Sequence, residues 1–598
     1  MSQNIDANYP YMSDDEMLDL PFAPPSNPCH EWTENGALAV SLIGMTTVRR
    51  GDTTGLPLTT DVVAERINND EEMWGQFIAI NTYGVRGVSA TQLQLSINLI
   101  LPKLHDIYFR REFYRLIAYN RDITHGKGER DVTYMLLWAV TAMGYEDEVI
   151  EILKLFASVG YGYWGDLANF YFYLEKAVID HPTVKVTERK ETMKRAIIKT
   201  IVYQIRNDQR LLIQHKNAAA TAKAPSISLA AKWIPSEGKS KGLLAKEIAF
   251  VMYPRKFDTA TGAVIPSSAK KSLTKYRHLA TKLRSTLNLV ETKMSKNQWG
   301  TIEPSTIPAK TMKKHRTAFM NKNGSADEGR VLLAQKLDLL ISGKTDKTIK
   351  TKGLQFYELI EPYIHGSCLD EVIEAQAKTI IKEMKTLVEN GSFPLSVALC
   401  DVSGSMSGIP MIVSIALGII LANVMPVPWY GKVITFESKP QWVDIQPNTS
   451  IYNQVQVLKE APWGGSTNFT AAVDLILRQA LAVKKPKKCV PEMLFCFTDM
   501  QFDEASEENS FGTKKLKRKF RNRGLIMPKL ILWNLRASGT NTFAADKDTP
   551  GVGILSGFSQ STFKAFMSGC NFELLTPIYL LKESLHVSRY DAIAACAK

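Results

Sequence analysis

Four short apolar runs between residues 395 and 535 constrain the fold of this chain more than any other feature. The runs are LSVALC, KVITF, MLFCF and KLILWNL, and the segments between them, such as MIVSIALGIILANV and FTAAVDLILRQALAV, have helical spacing. Strands that alternate with helices predict a mostly parallel sheet with helices on both faces, and buried parallel strands have continuous apolar sequences of this kind. We therefore expect an α/β doubly wound domain over residues 390–598.

The part of the chain before this region has a different pattern. From about Glu71 to Asn390, apolar residues recur mostly at helical spacing, in segments that end at glycine, proline or polar clusters. We expect an α-helical repeat region of HEAT-like helix pairs over residues 31–389, since a run of helix pairs suggests a solenoid or a ring. Residues 1–30 are acidic and rich in proline, and we expect a disordered tail there.

Residues 402–431 contain no charged side chain and include an apolar run nearly long enough to span a bilayer. Polar and proline residues interrupt this run, and it follows a strand and a loop, so we predict a buried helix and no membrane contact. The seven cysteines include no CxxC pair, which argues against a disulfide framework and favours a reduced, intracellular setting. We expect a cytoplasmic protein, associated with virions if its source is viral; its oligomeric state is open.

Positive charge is concentrated in one stretch of the chain. Residues 181–330 contain 30 Lys and Arg against 10 Asp and Glu, a net charge of +20, whereas the whole chain is +13. The remainder is therefore acidic, at −7. Charge runs often form solvated helix faces, but a field of one sign costs self-repulsion and favours a polyanionic partner. Tyr203, Tyr276 and Trp299 lie among the basic residues, and Trp233 lies between the two most basic runs, so nucleic acid is the simplest such partner.

The segment LSVALCDVSGSMSG has the composition of a cation site. Asp401, Ser403 and Ser405 occupy alternate positions in a loop that directly follows an apolar strand. A hard cation such as Mg²⁺ prefers oxygen ligands, and ligands of open α/β sheets bind outside the carboxyl ends of the strands. Two later loops offer further oxygens, with Thr467 ahead of a helix and Asp499 after a strand.

The order DVSGSM, GGSTN and FTDMQFD resembles the metal-ion-dependent adhesion site of von Willebrand A domains, over residues 394–535. The resemblance implies that Mg²⁺ or another divalent cation is held by Ser403, Ser405 and Thr467, with Asp401 and Asp499 acting largely through water. Ser466 precedes Thr467, so either hydroxyl is a candidate for the third ligand. In this family a vacant coordination position accepts an acidic group from a partner.

The segments RDITHGKGERDVTYMLLW, GYWGDLANFY and ISLAAKWIPSEG resemble a family that joins a helical region to a von Willebrand A domain. Its layout is similar to that of the TROVE proteins of Ro type. That resemblance implies an RNA-binding helical region. HGKGER itself lacks the Ser or Thr that a phosphate loop needs after lysine, and we interpret it as a turn between helices.

These observations favour a non-catalytic RNA-binding scaffold, and no catalytic constellation stands out in the sequence. The alternative is a protein-interaction or assembly factor, cellular or viral, that grips an acidic partner through the cation and binds no RNA. The candidate RNA contacts are Lys127, Arg130, Lys275, Arg277, Lys282, Arg284, Lys313, Lys314 and Arg316.

Overall fold

The computed structural model describes residues 60–85, 90–176, 184–217, 226–257, 261, 264–390, 393–436, 440–461, 469–482, 486–500, 513–536, 548–569 and 572–598. The chain divides into two compact units, Met1–Asn68 and Asn69–Lys598, and the fold described below is that of the second unit. The tail that we predict over residues 1–30 lies outside the described residues.

Helices make up the structure before the sheet. They are α1 (Thr60–Tyr83), α2 (Ala90–Ile100), α3 (Ile107–Arg121), α4 (Asp131–Met143), α5 (Glu146–Ser158), α6 (Gly165–Lys176), α7 (Val184–Asn217), α8 (Ala230–Trp233), α9 (Gly242–Met252), α10 (Pro266–Thr286), α11 (Val290–Ser295), α12 (Ala309–Phe319), α13 (Glu328–Ile341), α14 (Phe356–Ile364) and α15 (Glu371–Asn390). Many of them pack against a chain neighbour, as α4 does against α5 and α9 against α10.

Local sequence sets the ends of several of these helices. At the start of α3 the Asp106 carboxylate accepts the Tyr108 N–H at 2.7 Å, which satisfies one of the free amides of the first turn. At the end of α4 the chain turns at Gly144, whose φ of +100° is in the left-handed region that favours glycine.

The sheet region begins after α15. Its elements are β1 (Ser396–Asp401), α16 (Ile409–Val424), β2 (Lys432–Phe436), β3 (Gln441–Asp444), α17 (Ile451–Lys459), α18 (Phe469–Leu481), α19 (Pro486–Cys489), β4 (Met493–Thr498), α20 (Thr513–Arg521), β5 (Lys529–Asn534), β6 (Val552–Ser556), α21 (Gln560–Gly569), α22 (Pro577–Leu585) and α23 (Asp591–Ala594).

The six strands form one sheet in the order β3-β2-β1-β4-β5-β6. All neighbouring pairs are parallel except β2 and β3. The order reverses between β1 and β4, which are paired in the register Cys400 to Phe497, so the loops after these two strands meet at the topological switch point. The predicted fold class, a helical region followed by a doubly wound α/β domain, is confirmed.

The charge-free run of residues 402–431 contains α16, which is buried from Met411 to Val424. The helix lies so close to β1 that a Cβ on Gly418 would overlap Cys400 Sγ, which explains the small residue at that position. The prediction of a buried helix is therefore confirmed. In the part of the chain that the structure describes, no helix is long and apolar enough to cross a membrane.

The last residues of the chain pack against the helical region. Helices α22 and α23 contact α3. Arg589 bonds the buried carboxylate of Asp122, and Tyr161 donates its hydroxyl proton to the Arg589 carbonyl. The Lys598 N–H donates to Glu148 Oε1 at 3.0 Å. The sheet and the helices of this unit are therefore joined through polar contacts as well as apolar ones.

Candidate cation site and basic surface

Two buried carboxylates lie at the carboxyl ends of neighbouring strands. Asp401 is the last residue of β1, and Asp499 directly follows Thr498, the last residue of β4. Both aspartates have no exposed surface. Because the carboxyl ends of parallel strands meet at one edge of a sheet, the fold brings together two residues that are nearly a hundred positions apart in the sequence.

Hydrogen bonds from neutral donors fix the Asp401 carboxylate. Its Oδ1 accepts the Ser403 N–H at 2.9 Å, and its Oδ2 accepts the Thr498 hydroxyl at 2.7 Å. The hydroxyl oxygens of Ser403 and Ser405 are 3.0 Å apart. The structure therefore places two hydroxyls of the predicted ligand set in mutual contact, beside a fixed carboxylate.

The electrostatics of this edge are unfavourable to two negative charges. The pKa of Asp401 is raised to about 6: burial and, to a smaller extent, the nearby Asp499 carboxylate raise it, and the hydrogen bonds from Ser403 and Thr498 offset part of that rise. A cation between the loops would offset both the burial and the repulsion.

The donor set fits a hard divalent cation. Within the described ranges no group of three or more His, Cys, Asp or Glu side chains is placed to hold a metal, so a cation here would depend on hydroxyl oxygens as well as carboxylates. Hydroxyl and carboxylate oxygens with room for water are the ligands that suit Mg²⁺. Thr467 and its alternative Ser466 lie outside the described residues.

Two residues at this edge were missed from the sequence. Thr498 belongs to the apolar strand β4, yet its hydroxyl positions Asp401. Arg536 follows β5 at the same edge, and its guanidinium donates to the Ser405 carbonyl. Residues that directly follow a predicted parallel strand share this edge, and that rule would have pointed to Arg536.

Some of the candidate RNA contacts are exposed, and others are bonded or buried within the fold. Lys275, Arg277 and Lys282 are exposed on α10. Arg130 is exposed before α4, and Lys314 is exposed on α12, which packs against α13 and α15 rather than against α10. Lys275, Arg277 and Lys282 are therefore the exposed candidates that share one helix, which also carries Arg284.

Arg284 and Arg316 are occupied within the fold. Arg284 donates from Nε to the Ala231 carbonyl at 3.0 Å and from Nη2 to the Ile234 carbonyl at 2.7 Å. Arg316 bonds Asp370 Oδ2 at 2.9 Å. Beside it Lys313 is partly buried, and burial lowers its pKa. The bonds of Arg284 and Arg316 give these two residues a structural part, which the sequence did not distinguish.

Lys127 requires a correction. Only 1% of its surface is exposed, and its ammonium donates to the carbonyls of Asn81 at 2.7 Å and Gly84 at 2.8 Å. Burial lowers its pKa to about 7, and the nearby Glu129 raises it. A side chain enclosed in this way has no contact to offer a phosphate, so the structure does not support the predicted RNA contact of Lys127.

Two family models match the chain, and both describe domains of unknown function. DUF2828 matches residues 192–329, within the basic stretch, and DUF7788 matches residues 395–584, which contain the sheet. A protein of Acanthamoeba polyphaga mimivirus, named "Uncharacterized protein L728", is 32% identical over 498 residues, which cover 79% of this chain and 81% of that protein. The chain belongs to the family of L728.

The L728 family therefore extends over both regions of the chain. A solved structure, that of the Deinococcus radiodurans Ro (Rsr) protein, covers 83% of this chain and 99% of its own at 14% identity, with a TM-score of 0.29. The assignment of the doubly wound domain rests on the order of its strands.

Proposed function

We propose that this member of the L728 family is a non-catalytic RNA-binding scaffold. RNA is held on α10 (Pro266–Thr286), and the von Willebrand A domain binds a divalent cation and, through it, an acidic group of a partner. The observation that carries the RNA-binding part is the charge of α10, which contains six Lys or Arg residues and no Asp or Glu.

The exposed basic side chains of α10 supply a surface that fits a polyanion. Lys270, Lys271, Lys275, Arg277 and Lys282 are exposed, whereas Tyr276 and Leu283 are buried beneath them. Lys275 places its ammonium 5.7 Å from the centre of the Tyr253 ring. Phosphate contacts of this kind are independent of base sequence and release counterions, so they provide affinity that falls steeply with salt.

The proposed cation is held by Ser403, Ser405 and the hydroxyl of Thr467 or Ser466, with Asp401 and Asp499 acting largely through water. The cation would supply Lewis acidity toward an acidic group. Few carboxylates in direct contact leave it electrophilic, which is why a foreign carboxylate could complete its coordination. The buried, neutral-donor environment of Asp401 supports this part of the proposal.

RNA binding is tested by filter binding or fluorescence anisotropy over a series of salt concentrations. The wild-type protein should bind RNA with a strongly negative slope of log affinity against log salt. Because Lys275 and Lys282 would each contact phosphate, the double reversal Lys275→Glu and Lys282→Glu should weaken binding by at least about tenfold and make the slope less steep by roughly 2.

The matched control is the double reversal Lys382→Glu and Lys385→Glu on α15, where both lysines are exposed. It makes the same change in net charge outside the basic stretch and should leave affinity within about twofold. A wild-type protein that retains no RNA at low salt would refute the RNA-binding part. Equal losses in the two double variants would show that net charge, and not α10, determines binding.

Capture of a partner is tested by pull-down with the full chain as bait, in the presence of Mg²⁺ or EDTA. A metal-bridged partner should be lost with EDTA and with Asp401→Ala, and it should be retained by the reversals on α10. Capture that survives the chelator would contradict a cation-mediated contact.

A further inference from the structure

An exposed tryptophan lies on a tyrosine beside the basic helix. Trp233 is the last residue of α8, and 41% of its surface is exposed. Its ring centre is 4.4 Å from that of Tyr163, with an angle of 45° between the two planes. Trp233 is therefore a large aromatic side chain that the fold encloses only in part.

A buried ion pair positions the backbone of Tyr163, one of these two aromatic residues. Tyr163 donates its backbone N–H to Asp166 Oδ2 at 2.8 Å, and Asp166 also accepts a hydrogen bond of 2.8 Å from Arg121. Arg121 and Asp166 are almost completely enclosed, with 1% and 0% of their surfaces exposed. The backbone of Tyr163, whose ring contacts Trp233, is therefore held in place by Asp166.

Gly165 lets the two rings approach each other. A Cβ at this position would overlap the Tyr163 ring and would come within 3.0 Å of Trp233 Cε3. The first residue of α6 thus has to be small for the tyrosine and the tryptophan to be in contact. The arrangement is preorganised by the backbone and does not depend on a ligand to assemble it.

Cationic side chains flank both rings. Lys232 places its ammonium 5.9 Å from the centre of the Trp233 ring. On the other side, Lys241 bonds Asn169, whose amide donates to the Tyr163 hydroxyl at 3.3 Å. Burial lowers the pKa of Lys241, the Asp166 carboxylate raises it, and the charge of Arg130 lowers it further.

The same tryptophan adjoins α10. Arg284, near the end of that helix, bonds the carbonyls of Ala231 and Ile234, on either side of Trp233. A strand of RNA whose phosphates lie along α10 would therefore reach the ring pair at the end of the helix. Aromatic rings next to a basic groove are the arrangement by which proteins hold unpaired bases.

We propose that Trp233, supported by Tyr163, is a stacking site for an unpaired base of RNA bound along α10. The proposal rests on the RNA-binding function proposed above and adds to it a preference for single-stranded over duplex RNA. Bases within a duplex are stacked on each other and expose no free face, so the ring pair adds affinity only where a base is unpaired.

The test compares a 12-nucleotide oligoadenylate with a blunt RNA duplex of the same length, both binding to the full chain at one salt concentration. Trp233→Leu should weaken binding of the single strand by about tenfold and change binding of the duplex by less than twofold. Trp233→Phe, which keeps an aromatic face, should stay within about threefold of wild type for both RNAs.

The control variant is Tyr108→Leu, which removes another aromatic side chain, 38% exposed, outside the basic stretch. It should bind both RNAs like the wild type, and thermal unfolding should show that every variant is folded. If Trp233→Leu binds the single strand like the wild type, or loses the duplex equally, the stacking site is refuted while the RNA-binding scaffold stands. If the wild type binds neither RNA, both proposals fail.

Discussion

Two buried aspartates, one in the helical region and one in the sheet, accept hydrogen bonds from different kinds of donor. Asp166 accepts hydrogen bonds from the Arg121 guanidinium and from the Tyr134 hydroxyl at 2.6 Å, so its charge has a cationic partner inside the fold. Asp401 accepts its bonds from the Ser403 amide and the Thr498 hydroxyl, which are neutral. Both residues have no exposed surface.

The difference distinguishes a structural charge from one suited to a ligand. A buried carboxylate that is paired with an arginine needs no further cation, and it is compatible with the fold only while that arginine is present. A buried carboxylate with neutral donors is charged at the cost of desolvation, and Asp499 beside it adds to that cost. Such a site gains most from an added cation, which is the property that we propose for the edge of the sheet.

The largest loss of stability is expected when the Arg121 guanidinium, the partner of Asp166, is removed. Arg121→Met should leave Asp166 buried without its guanidinium and reduce the free energy of unfolding by about 3–5 kcal/mol. Urea unfolding monitored by circular dichroism measures this. The double variant Arg121→Met with Asp166→Asn, which removes the charge as well, should recover part of the loss. A change below about 1 kcal/mol in the single variant would contradict the assignment of Asp166 as a paired structural charge.

The second prediction applies the same comparison to Asp401. Mg²⁺ at about one hundred times its dissociation constant should stabilise the wild type by roughly 2.7 kcal/mol, because a ligand that binds only the folded state shifts the folding equilibrium. Differential scanning fluorimetry in a titration with Mg²⁺ measures this as a rise in melting temperature. Asp401→Asn and Ser403→Ala should abolish the rise, whereas Asp166→Asn should retain it. An equal rise in the Asp401 variant would contradict the site.

The edge of the sheet was predictable because its residues are adjacent in sequence to the strands that carry them. Asp401 and Asp499 directly follow apolar runs, and parallel strands bring such positions together wherever the intervening helices lie. Thr498 also directly follows the predicted run MLFCF, so the same rule points to it, but nothing in the sequence indicates that its hydroxyl bonds Asp401.

The sequence predicted that this region is helical, but it did not predict which of its basic side chains are exposed. Helical spacing indicates which residues are apolar and buried, but the engagement of a basic side chain depends on segments far along the chain. Lys127 is enclosed by carbonyls of residues 81 and 84, and Arg284 by carbonyls of residues 231 and 234. Charge alone therefore indicated a basic surface without separating its exposed members from those that hold the fold together.

Lys127 is a buried basic side chain that can be compared with the two buried aspartates. Its folded-state pKa of about 7 lies below the usual value of about 10.4, so the unfolded chain binds more protons between these values and stability rises with pH there. Its neutral amine can still donate to both carbonyls. Lys127→Met should therefore destabilise the protein by about 2 kcal/mol at pH 9 and by less at pH 6.5. Unfolding at both values measures this, and a loss that shrinks as pH rises would contradict it.

The smallest effect is expected at a neutral contact between the two regions, next to the proposed cation site. Asn534 ends β5 and donates from Nδ2 to the Thr82 carbonyl at 2.8 Å, while its Oδ1 accepts the Arg536 N–H at 3.1 Å. Asn534→Ala should lower the free energy of unfolding by about 1 kcal/mol, because neither group that it leaves behind is charged. Urea unfolding without Mg²⁺ measures this loss. Asn534→Asp is the sharper variant, because its carboxylate can accept the Arg536 amide but cannot donate to Thr82. If it proved as stable as the wild type, the Thr82 contact would not be what joins the helices to this edge of the sheet.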